Sequence, residues 1–190
     1  MADAPHRAAP HPAARVVATT APTAPATPGV ATALRVAGTR HGIHGGCHWR
    51  RVAEVGLHIA DAEGVDRHAV LLFAILHDCR RENDGHDPGH GPRAAALARA
   101  LGHSALGVSP RVLERLAAAM HHHTDGHVSD DPLIGACWDA DRLDLPRVGI
   151  APEPAYLSTT TARDGGTIAR FADFRREPMT WEDLERWSTT

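Results

Sequence analysis

Apolar positions along this chain recur with a helical period and seldom alternate. From about residue 41 onward the spacing predicts helices over 47–63, 66–79, 92–102, 110–123 and 132–145, with one or two more between 157 and 188. The boundaries carry their own signals. Asp131 before Pro132, and Ser109 before Pro110, each pair a side-chain acceptor for the first free N–H groups with a residue whose φ is already helical. Gly102, Gly126 and Pro146 stand where helices should stop. With so little strand-like patterning, the expected fold class is all-α, a helical bundle. Residues 1–36, rich in Ala, Pro and Thr, offer too little periodicity to fold alone and are expected to be a disordered tail ahead of a domain spanning 37–190.

Helical spacing also sorts the polar residues. His48 falls on one face with Val52, Val55 and Ile59. His77 shares a face with Val70, Phe73 and Ala74, and Asp78 follows it at the end of the apolar run. His123 lines up with Val112, Leu116, Ala119 and Met120, whereas His121 and His122 lie off that stripe. Asp141 lines up with Ile134, Cys137, Trp138 and Leu145, while Asp139 points elsewhere. A single His on an apolar face is ordinarily a hydrogen-bonded core residue. Four helices that each turn a His or Asp inward call for a common partner. A divalent cation satisfies buried imidazoles and carboxylates together and removes their desolvation cost. A His and carboxylate set without thiolate favours Mn, Fe, Zn, Ni or Co.

Composition narrows the reading further. A formal net charge of −3 argues against a general nucleic-acid binder. No apolar run approaches the ~18 residues of a membrane span. All 20 basic residues are Arg, which excludes Schiff-base and P-loop lysine chemistry. Cys47, Cys79 and Cys137 have neither zinc-ribbon nor disulfide-scaffold spacing, so a cytoplasmic location is expected.

The order His48, His77-Asp78, Asp141 resembles the HD-domain superfamily of metal-dependent phosphohydrolases. "HWRRV" from His48 is similar to the start of that family's first helix, "LLFAILHD" to the helix that ends in its signature pair, and "DADRLDL" from Asp139 to the segment carrying its last aspartate. The resemblance covers roughly 41–150. It implies a bundle with the metal between helices, and His48, His77, Asp78 and Asp141 as ligands of a first ion. Some members add two histidines and a second ion, and His90 and His123 stand in the matching places, so one or two ions per chain are expected. The implied activity is a metal-dependent hydrolase acting on a small anionic substrate, a phosphate ester or nucleotide. Asp78 would both ligate and orient water, and Arg80 or Arg81 would grip a phosphate as a bidentate fork; alternatively both arginines belong to a solvated loop beside Glu82, Asp84 and Asp87. Two other readings remain: an HD-type di-iron oxygenase, whose ligand set overlaps this one, and a non-catalytic metal- or nucleotide-binding regulatory module.

Overall fold

The computed structural model describes residues 27–190. Its described residues form nine α-helices and two short 3-10 turns, with no strand. The first helix, α1, runs Pro28–Ala37; α2 is Gly46–Glu63, α3 Arg67–Leu76, α4 His90–Leu106, α5 Pro110–His122 and α6 Pro132–Arg142. Three shorter helices follow: α7 Thr160–Arg163, α8 Gly165–Phe171 and α9 Trp181–Thr189. No helix among the described residues is long and apolar enough to cross a membrane.

The hub is α3. Every residue from Ala69 to Leu76 is buried, and α3 packs against α1, α2, α4, α5, α6 and α9. A helix that is apolar all round has no face for water and must sit at the centre. Its start is fixed by Asp66, whose carboxylate accepts the Ala69 N–H at 3.1 Å. The same device opens α5, where Ser109 accepts from Val112, and α6, where Asp131 accepts from Leu133 and Ile134. Both are the Pro-led starts that the sequence predicts.

Several boundaries differ from expectation: α3 stops at Leu76 and α6 at Arg142, where the spacing predicts ends at 79 and 145. Gly102 ends the regular part of α4 as predicted, at φ 80°, but one further turn follows it to Leu106. More substantially, residues 28–36 do not belong to a disordered tail. They form most of α1, which buries Val30 and Ala33 against α3 and α4. The stripe of Val30, Ala33, Leu34 and Ala37 is short. A ten-residue helix does not hold in isolation, so packing of that stripe, and not local propensity, makes it. The remainder of the expected tail, residues 1–26, lies outside the described residues.

Close approach of α4 to α5 depends on Gly91 in the first turn of α4. A Cβ there would stand 2.6 Å from the Met120 carbonyl oxygen and 2.8 Å from that of His121, inside any real contact distance.

Candidate metal centre

Because α3 is buried from Ala69 to Leu76, its C-terminal end opens into protein instead of solvent. His77 and Asp78 emerge there at 0% and 2% exposure. Four other helix ends converge on them. His48 comes from the first turn of α2, His90 from the start of α4, His123 caps α5, and Asp141 lies in the last turn of α6.

Asp78 divides this cluster in two. Its Oδ2 lies 3.7 Å from Nε2 of both His48 and His77. Asp141 Oδ1 closes that half, 3.4 Å from His48 Nε2 and 3.8 Å from His77 Nε2. The other oxygen, Oδ1, lies 3.2 Å from His90 Nε2 and 3.5 Å from His123 Nε2. One carboxylate thus faces a His pair with each oxygen.

The tautomers follow from the outer hydrogen bonds. His48 Nδ1 donates to Asp144 Oδ2 at 2.7 Å. His77 Nδ1 faces the carbonyls of Phe73 and Ala74 at 3.2 and 3.1 Å. His123 Nδ1 donates to the Met120 carbonyl at 2.7 Å, and His90 Nδ1 to that of Asp87. A carbonyl or carboxylate only accepts, so all four rings carry their proton on Nδ1. Four Nε2 lone pairs are then left facing inward, in pairs separated by 3.2 Å (His48 and His77) and 2.9 Å (His90 and His123). Two lone pairs at such distances repel unless a cation or an extra proton lies between them. The donor set therefore fits metal ions. Outer-shell anchoring of this kind is what orients metal-binding imidazoles.

The electrostatics agree. Burial pulls the His77 pKa down to about 4, so this ring is neutral near pH 7. Burial acts on His48 and His123 too, but their hydrogen bonds to Asp141 and Asp144, and to Asp78, prevail and raise both above the ordinary 6.5. Asp78 pays for burial, yet the surrounding imidazoles hold its carboxyl well below the usual carboxylate range. The raised values favour protons on His48 and His123 when no ion is bound. Metal binding must displace them. Apparent affinity should fall by about tenfold per pH unit for each proton displaced, as pH drops below the raised values. Calorimetry in buffers of differing ionisation enthalpy should register more proton release at about pH 6 than at about pH 8; release that does not change with pH would contradict the assignment of those protons.

Several residues around the centre escaped the sequence reading. His44 Nδ1 lies 2.7 Å from Asp78 Oδ2 and belongs to the turn before α2, where helical periodicity has no say. Asp144 is buried and also accepts from Arg51 Nε at 2.6 Å; its position three residues after Asp141 was the available signal. Asp87, named from the sequence only as part of a solvated loop, is buried instead and takes both Arg93 contacts, at 2.7 and 2.6 Å, and the Glu82 N–H at 2.8 Å. Those bonds, the Glu82 N–H first, hold its carboxyl down to about 2 and shape the loop that carries His90.

The two arginines part company. Arg81 Nη1 reaches Asp78 Oδ1 at 3.4 Å and His90 Nε2 at 3.1 Å, while Nη2 donates to the Gly85 carbonyl at 2.8 Å. Arg80 is exposed, and its carbonyl accepts from Arg93 Nε. His121 and His122 are exposed, in contrast to His123.

Asp139 lies away from the centre but is fully buried. It accepts from the Ser158 and Thr159 N–H groups, both at 2.7 Å, and from the Thr159 hydroxyl at 2.8 Å. It ties the C-terminal segment to α6. Asp139→Ala should therefore cost about 2–4 kcal/mol of stability, because three donors lose their acceptor. Metal content should be intact; thermal melting beside elemental analysis checks both halves of that expectation.

A family model described as HD domain matches residues 45–146, a span that includes all six inward-facing His and Asp positions expected from the sequence. Comparison with curated proteins gave no match, and neither did comparison with solved structures.

Proposed function

The chain belongs to the HD-domain family, and from that premise we propose that it is a metal-dependent phosphohydrolase that cleaves a small anionic phosphate ester or nucleotide at a His/Asp centre. The observation that carries the reading is the two-sided Asp78, with a pair of imidazole Nε2 atoms at each oxygen. His48, His77, Asp78 and Asp141 would hold one divalent ion, and His90, His123 and the second oxygen of Asp78 another. Such ions, when bound, lower the pKa of water and polarise phosphoryl oxygens.

The chain's own residues supply the rest. Asp78, kept ionised by the imidazoles around it, takes a hydrogen bond from water and directs its lone pair at phosphorus. His44 donates to the Oδ2 of Asp78 and fixes the carboxylate plane. Arg81 offers a guanidinium to the substrate's phosphoryl oxygens. It now rests on Asp78 and His90, donors that a second ion would also use, so its movement toward substrate and the filling of that second position are coupled. Burial of the donors keeps bulk water from competing.

The test is elemental analysis of untagged protein, followed by a panel of phosphate esters with Mn, Fe, Zn, Ni and Co, and oxygen uptake by iron-loaded protein. Phosphate release with no oxygen consumption is expected. Oxygen-dependent turnover without phosphoester cleavage under any metal would replace this reading with the di-iron oxygenase. Metal binding with neither activity would favour a regulatory module.

A further inference from the structure

Of the six inward donors, Asp141 is the one that meets solvent. Its side chain is 17% exposed, against 4% or less for the other five. The centre is therefore most open at the last turn of α6. A cavity of about 230 Å³ lies beside that turn. Arg142, the residue after Asp141, lines it. So does Leu145, the residue after Asp144, whose carboxylate holds His48. Consecutive Cα atoms lie only ~3.8 Å apart. Gly126, three residues beyond His123, lines it too. The cavity is thus bounded by the two chain segments that carry His123 and Asp141.

Its walls are mainly apolar: Leu145, Ile150, Pro152 and Leu157. Ile150 is 53% exposed, so the fold itself leaves this apolar surface uncovered. Of the charged residues on the cavity, Arg142 is committed elsewhere: Nη1 donates to the Tyr156 carbonyl at 2.6 Å, and the guanidinium lies over the Trp138 ring. Glu153 would repel a second anionic group. Sugar hydroxyls would give up water for walls that return few hydrogen bonds, which is costly. Methylene groups gain by the same move. An apolar pocket beside a few convergent polar groups is the usual form of a small-molecule site.

We infer that this cavity receives the alcohol part of the substrate, so that the ester cleaved is a phosphate monoester of a small apolar alcohol and not a sugar phosphate or nucleotide. The phosphate lies at the centre, and its substituent passes Asp141 into the cavity. This narrows the phosphohydrolase reading and rests on it for the reaction; the binding preference itself is measurable without turnover.

Calorimetry on the metal-loaded full chain with methyl-, ethyl-, propyl- and butylphosphonate, stable analogues of the esters, tests it. Affinity should rise about fourfold with each added methylene. The hydroxylated analogue 3-hydroxypropylphosphonate, as long as the butyl compound, should bind at least about tenfold more weakly than it. Ala151 also lines the cavity and is exposed. Ala151→Phe should fill the space and flatten the series, and Ile150→Ser should make it shallower, with metal content unchanged in both. The kcat/KM values of the matching alkyl phosphates, whose leaving alcohols are alike in acidity, should climb in parallel. No binding of any phosphonate, a flat series in the wild type, equal binding of the hydroxylated analogue, or a gain undiminished by both substitutions would each overturn the cavity's role. A rising series that the two substitutions flatten, with no ester cleaved under any metal, would uphold the cavity as a subsite for an apolar substituent and overturn the hydrolase reading alone.

Discussion

Asp78→Ala protein is expected to retain no tightly bound metal ion. Among the described residues Asp78 is the one whose two oxygens face both His pairs, His48 and His77 on one side and His90 and His123 on the other. Its removal takes a negative donor from each set at once, and leaves His90 and His123 with no carboxylate. Loss of an outer-shell partner already lowers metal affinity by about 10–100-fold, and a bridging carboxylate should cost more than that at both positions. The comparison that matters is His123→Ala. It should lose only the second ion, because His48, His77, Asp141 and Oδ2 of Asp78 remain. His121→Ala and His122→Ala, both exposed, should leave stoichiometry unchanged. Elemental analysis of the four proteins decides: a full complement of metal in Asp78→Ala would sink the centre as described.

The next largest effect is expected at Arg81. Arg81→Ala should lower kcat/KM on a phosphate ester by roughly ten- to a hundredfold, the kinetic equivalent of losing a charge-assisted contact of about 1.5–3 kcal/mol. Arg81→Lys should recover part of that loss, since it keeps the charge but not the fork. Arg80→Ala should change little, because Arg80 is exposed. A second effect distinguishes Arg81 from an ordinary substrate clamp. Its Nη1 contacts Asp78 Oδ1 and His90 Nε2, the atoms a second ion would need. The Ala variant should therefore bind that ion more tightly while turning over more slowly. Unchanged kcat/KM in Arg81→Ala would remove the guanidinium from the mechanism, and weaker binding of the second ion would show that no competition exists.

These contrasts also mark where the sequence speaks and where it falls silent. His48, His77, His123 and Asp141 lie on or at the end of helices, so the 3.6-residue period carries information about which way they point. The three-way choice among His121, His122 and His123 is of that kind, and the structure buries only the one on the Leu116–Met120 stripe. The period stops with the helix. α3 ends at Leu76, so no rotation angle separates Arg80 from Arg81. The fold of the loop to Gly89 makes that choice, through Asp87 on Arg93 and the Glu82 N–H and through Arg93 on the Arg80 carbonyl. His44 is hidden for the same reason, in a turn set by Gly42 and Gly45 and not by periodicity. For α1 the obstacle is different: its stripe was present in the sequence, but its stability resides in α3 and α4.

Gly91 extends the logic to a residue that donates nothing. The first turn of α4 carries His90, and the last turn of α5 leads into His123. The two backbones can close to their present spacing only because position 91 lacks a side chain. Their gap behaves like the jaws of a caliper, set by an absent methyl group. Metal–nitrogen bonds differ among divalent ions by only a few tenths of an ångström from the ~2.0–2.1 Å of zinc, and a methyl wedged between the helices would shift the jaws by a comparable amount. Where His90 and His123 hold an ion, its identity would rest partly on this backbone contact, and a substitution at Gly91, which donates no ligand atom, would retune it.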